Sequence, residues 1–203
     1  MPSGAKYVAL SYVWGQANFL TTLRSNVSEF QEQGAFSKII PPRTIQDAIK
    51  LTEGIGFQYL WVDALCIVQD EDESKRLLIS NMDAIYGHAA LTIIAASGTN
   101  ADAGLGGVKS RSAERQIPSR VMGPGWKLGV FTAFDAALMY STHAKRGWTY
   151  QEGCMSPRCL VILDGKAFFS CRESIWREDV MAEVDGVKPF EGANILGRTP
   201  VMA

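Results

Sequence analysis

Histidine is scarce, with two residues in a chain of 203, and the four cysteines include no C-x-x-C pair. His88 and His143 lie far apart, and structural zinc sites are built from closely spaced ligand pairs, so no metal centre is expected. No charge of either sign dominates, since 20 Lys and Arg stand against 21 Asp and Glu. A nucleic-acid footprint normally carries a basic surplus, so no nucleic-acid partner is expected. Long apolar runs are missing too: none reaches the roughly 18 residues of a membrane span. The opening MPSGAKYVAL lacks the charged segment followed by an apolar stretch that marks a secretory signal. The expectation is a cytoplasmic protein with no membrane span. Nucleotide signatures are absent as well, with no Walker A run and no G-x-S-x-G elbow, while AGLGG lacks the G-x-G-x-x-G spacing.

What is present is an ordinary globular composition, 47% hydrophobic and 20% charged, in a chain long enough to bury a substantial core. KYVALSYVW, from Lys6 to Trp14, is apolar at nearly every position and predicts a strand covered on both faces. A short helix is expected near Asn26 to Gln33. After Pro41 and Pro42, Thr44 is placed to cap a helix whose face carries Ile45, Ala48, Ile49 and Thr52, with Gly54 and Gly56 as its stop. Tyr59 to Val68, YLWVDALCIV, predicts a second buried strand, with Cys66 as a small buried hydrophobe. Asp70 and Glu73 have the spacing of a capping box before a helix bearing Leu78, Met82, Ile85, Tyr86 and Ala89. Leu91 to Ser97 predicts a third buried strand.

Strands alternating with helices imply an α/β fold with a parallel sheet. Beyond Gly107 the pattern becomes β-rich, with a piece at Lys127 to Thr132 and a hairpin signalled by RCLVILDGKAFFSC around Asp164-Gly165. The expected organisation is one domain over residues 1–182. It has an α/β core over about 6–107, a β-rich extension with the RGWTYQE helix over about 108–182, and a terminal segment over 183–203 that is either surface chain or the start of something longer.

Ligands of parallel sheets bind outside the carboxyl ends of the strands. The first strand ends in Ser11, Tyr12, Trp14 and Gly15, the second exits through Gln69 and Asp70, and the third through Ser97 to Asn100. Asp63 interrupts an apolar strand, so its carboxylate needs a partner, whether to satisfy a neighbouring loop or to do chemistry. In RGWTYQE, a helical spacing puts Trp148, Gln151 and Glu152 on one face, which fits either a core Trp with a solvated Glu or a platform for a flat ring attached to a sugar. Ser11 has no histidine near it in sequence, which argues against a Ser-His hydrolase.

YVALSYVWG, PRTIQDAI, YLWVDALCIVQ with NMDAIYGHA, and RGWTYQE, in that order, resemble the fungal heterokaryon-incompatibility (HET) domain over roughly Tyr7 to Leu163. Val68 departs from the family, which more often has Asn or Asp there. The resemblance implies a cell-death effector that works with other domains or proteins of an incompatibility system and self-associates. It also implies a distant likeness to TIR domains, with a flavodoxin-like parallel sheet and NAD as substrate rather than cofactor; no cofactor is expected. On that pattern Glu152 is the catalytic carboxylate of a W-x-x-x-E, and Ser11, Tyr12, Trp14, Asp63, Arg146, Trp148 and Gln151 bind substrate. Arg146 or Arg43 meets the pyrophosphate. A non-enzymatic signalling module is the alternative, and a concave aromatic pocket around Glu152 rather than a flat helix face is what separates the two.

Overall fold

A computed structural model describes residues 4–16, 20–108, 119–124, 126–129 and 134–178. The terminal segment expected over 183–203, and the end of the Lys127 to Thr132 piece, lie outside the described residues.

The first apolar run is β1 (Val8–Ser11), buried at all four positions. Two short helices, α1 (Val27–Phe30) and α2 (Ala35–Lys38), lead to α3 (Arg43–Gly54). Pro42, not Thr44, holds the cap position of α3; Thr44 sits in the first turn, where its Oγ1 accepts the Gly104 N–H at 3.0 Å.

YLWVDALCIV proves to be only partly strand. After the two residues of β2 (Leu60–Trp61), the chain turns into the single-turn helix α4 (Asp63–Cys66). Asp63 drives the switch, because its Oδ1 accepts the Ala64 N–H at 2.7 Å, a donor that a helix start otherwise leaves unpaired. A continuous apolar run does not by itself distinguish a strand from a buried helical turn. Cys66 consequently stands exposed rather than buried.

The acidic run leads into α5 (Asp72–Ser80), which breaks at Asn81 before α6 (Met82–His88). The expected Asp70–Glu73 box is absent. Asp70 Oδ1 instead accepts the Arg24 N–H at 2.8 Å, and Glu71, at the cap position, takes the Ser74 hydroxyl at 2.6 Å.

The remaining elements are β3 (Leu91–Ala95), β4 (Ser119–Gly123), β5 (Trp126–Gly129), α7 (Phe134–Tyr140), α8 (Gly147–Met155), β6 (Arg158–Leu163), β7 (Lys166–Cys171) and β8 (Ile175–Arg177). Six strands make one sheet in the order β2-β1-β3-β6-β7-β8. The pairings among the first four are parallel, and those of β6 with β7 and β7 with β8 are antiparallel. The fold is α/β, with helices flanking a mixed and mostly parallel sheet.

The hairpin at Asp164-Gly165 is present, and both turn residues have positive φ, at 50° and 73°, as a two-residue turn matched to strand twist requires. Its first strand, β6, pairs with β3 over Thr92↔Cys159 to Ala95↔Ile162, so the hairpin is the far half of the core sheet rather than a separate layer. Among the described residues the part that stands apart is the β4–β5 ribbon.

Strand alternation assigns each face. Val8 and Leu10 pack with Ile45 and Ala48 of α3, whereas Ala9 packs with Tyr86 of α6. Ser11, two residues beyond Ala9, therefore points to the α6 side, which is also the side of α8. Gly15 then redirects the chain with φ 78°, and a Cβ there would lie 2.6 Å from Asn100 Cβ. These features bring the ends of β1 and β2 and the start of α8 to one place.

Candidate functional site

Glu152 sits on a helix tied down at both ends. At the start of α8, Thr149 Oγ1 shares its proton between the carbonyls of His143 and Arg146. At the other end, Ser156 Oγ donates to the Glu152 carbonyl at 2.6 Å and meets Thr92 Oγ1 of β3 at 2.6 Å. Thr149, Glu152 and Ser156, three and four residues apart, thus form the buried stripe of α8. Trp148 projects from the same helix with 60% of its surface exposed, at the rim.

Glu152 is 9% exposed, and its carboxylate is held by the Ser11 hydroxyl. Ser11 Oγ donates to Oε2, and the Tyr86 hydroxyl, which donates to the Leu10 carbonyl at 3.1 Å, favours the ionised form of the carboxylate. Ser11 Oγ is in addition 2.7 Å from His143 Nε2. A serine hydroxyl has one proton, and here it goes to Glu152, so Nε2 must carry a proton and donate to Ser11. The sequence placed no histidine near Ser11, but the fold does. The pair is nonetheless no nucleophile and base, because Ser11 is 1% exposed and its lone pair toward His143 is already accepting.

Glu152 opens into a pocket of about 300 Å³. Tyr12, Trp14 and Trp148 supply aromatic surface, Asp63 a second carboxylate, and Arg146 and Lys75 two cations; Ile67, Gln69, Ile79, Met82 and Thr149 complete the lining. Trp14 Nε1 donates to Asp63 Oδ2 at 2.9 Å, so Asp63 is held on both oxygens without a cation. A groove of about 390 Å³ lies elsewhere, against α1, α2, α3 and the β2 edge, but its lining is mostly apolar and includes no carboxylate or cation. The smaller pocket is the one with convergent polar groups.

Burial sets the electrostatics. It pushes the Asp63 carboxyl up to about 7, with the nearby Glu152 charge adding to the effect and the Ala64 and Trp14 donors opposing it. Glu152 is also raised by burial, against the Ser11 hydrogen bond and the charge of Arg146. His143 is lowered to about 4, by burial and then by Arg146, so the imidazole is neutral. Tyr12 is held protonated by burial and both carboxylates, and its hydroxyl, buried, has no hydrogen-bond partner among the described residues.

The family profile described as heterokaryon incompatibility protein (HET) matches residues 7–152, from just before β1 to Glu152 itself. The chain belongs to the HET family. No curated protein and no solved structure matches it. Every residue lining the pocket of this HET domain falls inside the matched span. Membership ties the chain to heterokaryon incompatibility. Among the described residues no helix is long and apolar enough to cross a membrane.

Of the residues singled out in the sequence, Tyr12, Trp14, Asp63, Arg146, Trp148 and Glu152 line this pocket, and Ser11 sits directly behind Glu152. Gln151 is exposed and lines an adjoining depression of about 140 Å³, which Trp148 and Glu152 also border together with Asp83, Tyr86 and Met155. Arg43 lies away from the pocket, at the start of α3, where its Nε is 3.9 Å from Asp47 Oδ2. Sequence reasoning missed His143, Tyr86 and Lys75. Tyr86 reads as one more apolar helix position, and His143 has no local signature, since its partner is 132 residues away.

Proposed function

We propose that this HET domain is a cell-death effector that hydrolyses the N-glycosidic bond of NAD, a TIR-like chemistry. The observation that carries the reading is the setting of Glu152: a buried carboxylate in a concave, aromatic-walled pocket with a second carboxylate, not a residue on a flat helix face. Two carboxylates facing aromatic surface suit a cationic ring attached to a sugar, since the pyridinium gains from both the charges and the ring faces. The residues Ser11, Tyr12, Trp14, Asp63, Arg146 and Trp148 then hold or support the substrate.

In the reaction, the bond between ribose C1′ and the ring nitrogen breaks, and nicotinamide leaves neutral with the electron pair, so no acid is needed. Glu152, ionised with the help of Ser11, Tyr86 and Arg146, stabilises the positive charge that develops on the ribose. Water adds at C1′ and loses a proton to Asp63, whose value of about 7 suits a general base at neutral pH. The products are nicotinamide and ADP-ribose, with one proton released. Two carboxylates also serve most glycoside hydrolases, where one must act as an acid; a leaving group that departs neutral removes that requirement.

A non-enzymatic self-association role has its own observation, the apolar side chains of Phe36, Ile40, Ile49 and Ile55 exposed on and around α2 and α3. Clustering through such a surface is compatible with catalysis. Expression in cells tests the proposal: wild-type domain, forced to cluster, depletes cellular NAD and kills, while Glu152→Gln at equal abundance does neither. Equal killing by the two proteins refutes it.

A further inference from the structure

The charges in the pocket are sorted. Asp63 and Glu152 are anchored by hydrogen bonds from Trp14, Ala64 and Ser11, whereas Arg146 and Lys75 make no ion pair among the described residues. Lys75 is nevertheless held in place: its Nζ donates to the Gln69 carbonyl at 3.2 Å, and the Gln69 side chain donates in turn to the Asp63 and Ile67 carbonyls, each at 3.1 Å. Arg146 occupies the cap position of α8, a nine-residue helix with no capping side chain and no acidic residue in its first turn. The positive end of that helix is therefore neutralised by nothing in its own sequence.

Tyr12 supplies an independent sign of a missing ligand. Tyr12 lines the pocket and is 4% exposed as a residue, and its buried, protonated hydroxyl has no hydrogen-bond partner among the described residues. A buried donor without a partner costs free energy unless a ligand supplies an acceptor. Asp63 and Glu152 act on the Tyr12 hydroxyl electrostatically to hold its proton, and Arg146 opposes them.

We propose that Arg146, Lys75 and the uncapped start of α8 form an anion subsite for the phosphate or pyrophosphate of a nucleotide, with the Tyr12 hydroxyl as its neutral donor. The guanidinium fork and the lysine ammonium both suit phosphate oxygens. The substrate is then a nucleotide, recognised at both ends, rather than a nucleoside. This assignment rests on the hydrolase reading for the sugar end of the pocket, but its test does not.

Calorimetric titration with ADP-ribose, which has the pyrophosphate and lacks the nicotinamide, measures the subsite without catalysis. Binding should weaken with added salt, and Lys75→Ala and Arg146→Ala should each cost about tenfold or more in affinity, the loss expected for a charge-assisted hydrogen bond. Tyr12→Phe should weaken it several-fold, and inorganic pyrophosphate should compete. Nicotinamide riboside, which carries no phosphate, should bind with the same affinity to wild type and Lys75→Ala. All three substitutions are checked for folding by thermal melt. Absence of ADP-ribose binding, or equal affinity in wild type and the Lys75→Ala/Arg146→Ala double variant, overturns the subsite. Charge-dependent ADP-ribose binding without NAD cleavage would sink the hydrolase reading alone, and cleavage of NAD with an unchanged KM in the double variant would sink the subsite alone.

Discussion

His143 Nε2 lies 2.7 Å from Ser11 Oγ, and because Ser11 gives its only proton to Glu152, the imidazole is the donor of that bond. A chain of two donors thus ends on the carboxylate that faces the pocket. It fixes the orientation of Glu152 and favours its ionised form, at a site where burial alone favours the protonated one.

Removing the last donor should therefore raise the Glu152 pKa. Ser11→Ala should move the acid limb of the activity profile to higher pH and lower the rate at neutral pH about tenfold, whereas Ser11→Thr, which keeps the hydroxyl, should restore both. Carbon-13 NMR of labelled glutamate reads the same shift without any substrate. An unmoved Glu152 titration in Ser11→Ala would remove the relay from the account.

The pH dependence of stability carries a sign that can be worked out. Asp63 titrates near 3.8 when unfolded and near 7 when folded, so the stability that its proton provides is present at low pH and lost as pH rises through that interval. Glu152, also raised, acts in the same direction. His143 runs opposite: its folded value of about 4 lies below the ordinary 6.5, so the folded state loses stability as pH falls from 6.5 toward 4. Urea denaturation of His143→Gln should show stability falling more steeply than wild type from pH 4 to 6.5, while Asp63→Asn should show it falling less steeply than wild type over the same interval. Parallel profiles for all three proteins would contradict the assignments.

Much of this fold is legible because burial writes it plainly. Val8 to Ser11 and Leu91 to Ala95 are apolar or small at every position, as strands sandwiched between helices must be. The hairpin follows from Asp164-Gly165, whose backbone has the positive φ values such a turn demands. An apolar run is ambiguous where one polar side chain redirects it, as Asp63 does by pairing with the Ala64 N–H. The Thr44 cap and the Asp70–Glu73 capping box are absent for a related reason, since Thr44 and Asp70 spend their oxygens on Gly104 and Arg24, partners remote in sequence. In the site, Glu152 and Trp148 were readable because i,i+4 spacing is local, whereas the partnership of Ser11 with His143 exists only once β1 lies beside the chain before α8.

Gly15 is a position where the backbone rather than a side chain secures the site. Its φ of 78°, and the 2.6 Å that would separate an added Cβ from Asn100 Cβ, leave no room for alanine. Gly15→Ala should cost about 2 kcal/mol or more in stability and shift Trp14 off Asp63. Chemical denaturation gives the first quantity and tryptophan fluorescence the second. A variant as stable as wild type would show that the turn after β1 tolerates rearrangement.

Glu152 is the residue on which the whole reading turns, and its conservative replacement gives the most direct test. Purified domain, at high concentration and with enforced clustering, is incubated with NAD and the products separated by chromatography, wild type beside Glu152→Gln with matched thermal melts. The account predicts nicotinamide and ADP-ribose from wild type and a rate at least about 100-fold lower from Glu152→Gln, the scale of loss when a preorganised electrostatic group is removed. No release from clustered wild type, or equal release from a well-folded Glu152→Gln, would contradict it.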